Sequence, residues 1–247
     1  MSVETTAGEW NGYRRLDFQF EGRPSILVLP KQPRPDGKWL FKTEYFGAFP
    51  SFELEMLARG YAVAHMKSTT RWCPPEDTAA RARFCEFLRR EFSLAATCLP
   101  VGMSCGGMQA VYLASERPDL VAALYLDAPV MNLLSCPCGV GLSDDHMYEE
   151  FHKAIGKTVS DLINFRDHPV DRIPALVRNR IPVALICGDS DRTVPYTENG
   201  KVLSDRYRRE GLPLLEIVKP GCDHHPHGLT DNTPLIEFAE RYYGGKA

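Results

Sequence analysis

The sequence predicts an α/β fold, a mostly parallel sheet with helices on both faces. Three observations carry that expectation. Apolar, strand-like runs recur from residue 14 to residue 220, and from residue 51 onward amphipathic helical stretches separate them. The earliest runs instead follow one another through short turns, which reads as an antiparallel start. No linker, repeat or low-complexity segment divides the 247 residues, so 1–247 reads as a single domain.

In order along the chain, "RRLDFQF" places Leu16, Phe18 and Phe20 on one face with the period of two of a half-buried strand. "SILVLP" and "KWLFKTEYF" follow as strands, parted by the turn-rich "KQPRPDG". "SFELEMLARG" is a short helix closed by Gly60, and "YAVAHM" is a buried strand. Over 76–92, Ala80, Phe84, Phe87, Leu88 and Phe92 form one helical stripe, with arginines on the other face. "CLPVGM" is a strand, 106–116 a helix and "VAALYLDAP" the next strand. The regular beat then stops over 133–180, where Gly and Pro turns mix with amphipathic pieces such as "HMYEEFHKAIG". The expectation there is a small cap inserted above the sheet. "PVALICGD" and "LLEIVKP" flank a charged helix around 197–210. Thr233-Pro234 opens the last helix, whose buried stripe is Leu235, Phe238, Ala239 and Tyr242.

A chain of this size can bury roughly 70–75% of its unfolded surface, so its core needs neither disulfide nor metal. A formal net charge of −3 leaves no basic footprint for nucleic acid. "MSVETTAGEWNGYRR" has no apolar core for a signal peptide, and no apolar run is long enough to span a membrane. With eight scattered cysteines, these features predict free thiols and a cytoplasmic setting. Cys136-Pro137-Cys138, with His146 and His152 nearby, lacks a second pair to complete a zinc site and reads as a loop.

Within "CLPVGMSCGGMQAVYL", Ser104 lies between Gly102 and Gly106. That spacing arises by chance about 0.07 times in such a chain, so the motif alone is suggestive but weak. Its setting is stronger. An apolar strand runs straight into Ser104 and a helix starts directly after it, as a nucleophile elbow requires. A serine hydroxyl also needs a base to take its proton, and the base needs a carboxylate to orient it. Asp189 and Asp191 lie just past one strand, and His224, His225 and His227 just past the next, in the chain order Ser, acid, His.

On these motifs residues 16–243 resemble the α/β-hydrolase family. "VGMSCGG" stands at the elbow, "YLDAP" after the sixth strand, "GDSDRTVP" at the acid loop and "PGCDHHPHG" at the histidine loop. "KTEYFGAFP" and "LARGYAVAHM" occupy the place of the family's oxyanion loop and of the helix and strand behind it. The resemblance implies an eight-stranded sheet and a serine hydrolase of the esterase type. It selects Asp191, three residues after Gly188 and followed by Val194-Pro195, over Asp189, which is expected to tie down its own turn. Asp127 is a third option, with a strand-capping role expected. The family's Gly-x-x-His pattern selects His224 over His225 and His227.

Three histidines in "HHPH" invite a metal reading. Adjacent histidines rarely point the same way, however, and no carboxylate cluster accompanies them, so no metal is expected. His65, His146, His152 and His168 read as core or surface positions. Cys105 is not the expected nucleophile, because Met103 rather than a small residue stands two positions before it. Its N–H is expected in the oxyanion hole. The second donor is expected from Phe46-Gly47-Ala48, where the family often has His-Gly; the Ala48 N–H aligns best, with Gly47 as the alternative. Tyr45, Phe46, Trp72, Met103 and Met108 flank these loops, and Phe46, Met103 and Trp72 are the expected substrate-binding residues.

The expected function is a carboxylesterase that cleaves a small-molecule ester through an acyl-enzyme, without a cofactor. Acylated carbohydrates are one candidate class, by analogy of fold. A peptidase or amidase of the same fold is the first alternative, against which the small cap counts. A non-catalytic binding protein is the second, against which the ordered Ser, Asp and His count. Neither nucleic acid nor membrane is an expected partner, and the sequence leaves the oligomeric state open.

Overall fold

The computed structural model describes residues 3–144 and 147–245. The first three strands, β1 (Thr6–Trp10), β2 (Tyr13–Phe20) and β3 (Arg23–Leu29), form an antiparallel meander. Its turns are Asn11-Gly12 and Glu21-Gly22, all four residues having positive φ, the two-residue geometry that suits the twist of a hairpin. β1 escapes the sequence reading because "TAGEW" is exposed at almost every position and carries no apolar alternation. The sheet therefore has nine strands among the described residues, not eight.

The next five strands are β4 (Trp39–Lys42), β5 (Ala62–Met66), β6 (Leu99–Met103), β7 (Leu124–Asp127) and β8 (Val183–Gly188). All are buried at every position, which is why they read as continuous apolar runs. β9 (Leu214–Lys219) completes the order β1-β2-β3-β5-β4-β6-β7-β8-β9. β3 pairs antiparallel with β5, and every later pair is parallel. β4 is shorter than "KWLFKTEYF" suggested. The chain leaves the sheet after Lys42, and Tyr45 and Phe49 both take positive φ, at 54° and 47°.

Helices α1 (Ser51–Ala58) and α8 (Thr233–Ala239) cover one face, packing Phe52, Met56, Leu235 and Phe238 on Val63, Val101 and Ala184. α2 (Pro75–Phe92), α3 (Cys105–Glu116), α6 (Ile173–Arg178) and α7 (Gly200–Arg209) cover the other. The α2 stripe is as read, with Phe84 and Leu88 fully buried and Phe87 and Phe92 against the Phe18 ring. One of its arginines departs from the reading. Arg81 is fully buried and donates to Ser68 Oγ at 2.6 Å. At the C-terminal end Tyr243, not Tyr242, enters the core, because Glu240–Gly244 winds as a wider π-type turn.

Between β7 and β8 the chain carries α4 (Tyr148–Ile155), α5 (Val159–Ile163) and α6. Leu133, Phe151 and Leu162 of this segment pack on Trp72, Met108 and Tyr112. His168 is buried there, its Nδ1 accepting from the Leu133 N–H and its Nε2 facing the Leu162 carbonyl, each at 3.1 Å. The reading of His146 lies outside the described residues. No disulfide joins any of the described cysteines, and no described helix is long and apolar enough to cross a membrane.

Candidate active site

β6, β8 and β9 are parallel, so their C-terminal ends open on one edge of the sheet, and the site is assembled there. Ser104 lies between β6 and α3 with φ 53° and ψ −120°, a backbone conformation costly to a residue with a side chain. Its surroundings over-determine it. The Ser104 N–H donates to the Asp127 carbonyl at 2.9 Å, and its own carbonyl accepts from Gly107 and Val130. A Cβ on Gly102 would overlap the Gly106 carbonyl, and one on Gly107 would lie 2.5 Å from Pro129 Cβ. The strand–helix crossing thus requires Gly107 as well as Gly102, while Gly106, 3.1 Å from Thr43 Oγ1, is tight but less severe.

Asp191 follows β8 and His224 follows β9, and the structure brings both to Ser104. His224 Nε2 is 3.1 Å from Ser104 Oγ, and His224 Nδ1 is 2.8 Å from Asp191 Oδ2. The carboxylate holds the proton on Nδ1, which leaves the Nε2 lone pair facing the serine hydroxyl. The other oxygen of Asp191 accepts the N–H groups of Thr193 and Val194. Asp189 instead accepts the Gly221 N–H at 2.7 Å, tying the acid loop to the histidine loop. The loops touch closely enough that a Cβ on Gly188 would overlap the Cys222 carbonyl.

One positioning group, Asp223, lay outside the sequence reading, and a second, Asp127, does more than was expected of it. Asp223 accepts the backbone N–H of Arg192 and that of His224, and it pairs with the Arg192 guanidinium. Those donors hold its carboxyl down at about 2. Asp127, expected to cap its strand, does accept the Gly228 N–H, but it also binds His227 Nδ1 at 2.8 Å. The expectation that neighbouring histidines diverge does not hold. His224, His225 and His227 converge with ring centroids 4.8–5.0 Å apart, because His224 and His227 are drawn to two different buried carboxylates.

A cleft of about 340 Å³ opens over Ser104, lined by Met103, Tyr45, Ala48, Phe49, Arg71 and the three histidines among others. Met103 is in that lining. Phe46 is not in that lining: it turns back onto Trp10 and His65, at 5.0 and 5.7 Å between ring centroids. Trp72 lies behind Arg71 and lines a separate cavity of about 220 Å³ beneath α4.

The Cys105 N–H is the first of α3 and has no partner within the helix, so it faces the place where an oxyanion would form. Its side chain packs inward, where burial pushes the thiol up to about 12. The Ala48 N–H is already donated to the Tyr45 carbonyl at 2.9 Å, which removes it as the second donor, and Gly47 is not among the lining residues. Tyr45 carries a hydroxyl on the same wall, and burial pushes its pKa above the ordinary phenol value, keeping it a neutral donor. Beneath this loop Lys42 pairs with Glu53 at 2.6 Å, both fully buried, and donates to the Ala48 carbonyl.

Comparison with known proteins places this geometry. Residues 83–244, more than half of the chain, match the prolyl oligopeptidase family. A solved puromycin hydrolase mutant complexed with PGG superposes with a TM-score of 0.72 at 17% identity, over 99% of this chain and 39% of that one. Dipeptidyl peptidase 4 of Porphyromonas gingivalis superposes with a TM-score of 0.64 at 13% identity, over 98% of this chain and 35% of that one. At such identities the likeness is one of fold, and this chain spans well under half the length of either. The fold is the α/β-hydrolase fold expected from the motifs, with the esterase assignment replaced by the coarser one of serine hydrolase. The chain belongs to the prolyl oligopeptidase family.

Proposed function

We propose that the protein is a serine peptidase that cleaves short peptides or their amides through an acyl-enzyme. The observation that carries the chemistry is the continuous contact Ser104–His224–Asp191, at 3.1 and 2.8 Å. The family match supports a peptide bond as the target. In the first step His224 Nε2 takes the Ser104 proton as Oγ attacks the carbonyl carbon. The charge that moves to the carbonyl oxygen is met by the Cys105 N–H and the Tyr45 hydroxyl. His224 then protonates the leaving amine, and water repeats the sequence to release the acyl group. We read 133–180 as the cap over this cleft.

One observation favours a second reading, the esterase expected from the sequence. No lining residue among those described is acidic, and Arg71 stands in the wall instead. A free substrate amino group would find no carboxylate there, so esters and N-blocked peptides suit the cleft better than peptides held by their amino terminus.

Fluorophosphonate labelling with mass spectrometry, beside turnover of N-blocked peptidyl p-nitroanilides and p-nitrophenyl esters, tests both. Label on Ser104 with anilide turnover upholds the peptidase. Ester turnover with silent anilides moves the assignment to the esterase. No label on folded protein overturns the serine mechanism.

A further inference from the structure

We propose that the cleft is also a metal-binding site, where Zn²⁺ held by His224, His225 and His227 reversibly shuts off hydrolysis. Proximity is the first argument. The ligand-capable atoms of the three side chains lie within 4.8 Å of one another. Tetrahedral zinc with nitrogens at 2.0–2.1 Å holds them about 3.3 Å apart, so the set must close by roughly 1.5 Å. His225 is placed to move: it is exposed, and its ring rests on Phe49 with centroids 5.7 Å apart.

The outer shell is the second argument. Nδ1 of His224 meets Asp191 and Nδ1 of His227 meets Asp127, each at 2.8 Å, and both carboxylates are buried. Zinc-ligating histidines characteristically have one ring nitrogen fixed by a carboxylate while the other binds the metal.

Inhibition follows from counting lone pairs. His224 Nε2 has one, and it is the one facing Ser104 Oγ at 3.1 Å. Donated to zinc, it cannot accept the serine proton. Binding transfers no electron and breaks no covalent bond in the protein; only water, and protons at low pH, leave. The site stands apart from the substrate assignment, and its inhibitory half rests on the function proposed above.

The test is titration of Ser104→Ala protein with Zn²⁺ by calorimetry and with Co²⁺ by absorption, beside wild-type turnover in Zn²⁺ with and without EDTA. The expected result is one ion per chain, a Co²⁺ spectrum of four-coordinate nitrogen type without thiolate charge transfer, and inhibition reversed by EDTA. His225→Ala, at an exposed position and so safe for the fold, is expected to weaken Zn²⁺ binding at least about tenfold, and Asp127→Asn about 10–100-fold. Unchanged affinity in both variants, or a thiolate band lost in Cys138→Ser, puts the metal elsewhere and overturns the proposal. So does full turnover in zinc-saturated enzyme, since His224 is then not a ligand. Zinc held by the histidines of a chain that never hydrolyses substrate upholds the site and overturns the proposed function instead.

Discussion

Asp223 and Arg192 join the loop that carries the acid to the loop that carries the base. One Asp223 oxygen accepts the Arg192 N–H at 3.0 Å and the His224 N–H at 2.8 Å, while the other takes the Arg192 guanidinium. Arg192 directly follows Asp191, so this exposed carboxylate sets the spacing of the buried pair.

These bonds give a pH signature. The Asp223 carboxyl is lowered from 3.8 to about 2, by the backbone N–H groups of Arg192 and His224 and then the Arg192 side chain. A depressed folded value adds stability above 3.8 that is lost as pH falls through about 2. Asp223→Asn is expected to flatten the decline of melting temperature across that window relative to wild type, and at neutral pH to lower kcat more than KM. Paired thermal melts and steady-state kinetics check both.

The two aspartates of the acid loop are expected to separate sharply. Asp191→Asn removes the acceptor that fixes the His224 tautomer, a change that costs about 10⁴ in kcat in a comparable triad. Asp189→Asn loosens a turn and is expected to cost less than about tenfold, since it leaves the triad contacts in place. Kinetics on the two purified variants decide, and the reverse ranking moves the acid.

Tyr45→Phe removes only the hydroxyl and is expected to lower kcat by about 10²–10³ with KM little changed, the mark of an interaction made in the transition state. Phe46→Ala, next to it in the chain, removes a ring packed on Trp10 and His65 and is expected to lower melting temperature while kcat stays near wild type. Circular dichroism melts beside the kinetics distinguish the two effects.

Lys42 and Glu53 are 1% and 2% exposed, and one Glu53 oxygen is buried without a hydrogen-bond partner. Lys42→Met strands the carboxylate and is expected to destabilise the fold by about 3–5 kcal/mol, whereas Lys42→Met with Glu53→Leu recovers most of that loss. Urea unfolding of the single and double variants measures it.

The three residues in contact, Ser104, Asp191 and His224, were legible in the sequence because each sits at a fixed offset from a glycine at or near the end of a strand. The alternating sheet and helices were legible too, buried strands being apolar throughout. The oxyanion loop was not. Its donors depend on which way 45–49 turns, and that is set by positive φ at Tyr45, Gly47 and Phe49, two of which are not glycine. Phe46 and Trp72 look like pocket walls in one dimension and point elsewhere in three. The Asp127–His227 contact joins residues 100 positions apart and leaves no local trace. β1 is held by backbone pairing to β2 rather than by an apolar face, so hydrophobic pattern could not reveal it.

Ser104 and His224 are 120 residues apart and meet across the ends of β6 and β9, with β7 and β8 between them. A ribosome making this chain therefore releases the nucleophile long before the base. Parallel pairing of this kind forms late, once distant segments have been brought together. Until β9 docks on β8, the serine has nothing to take its proton. The contact between nucleophile and base is thus among the last to form, and the site is assembled only when the final strand has docked.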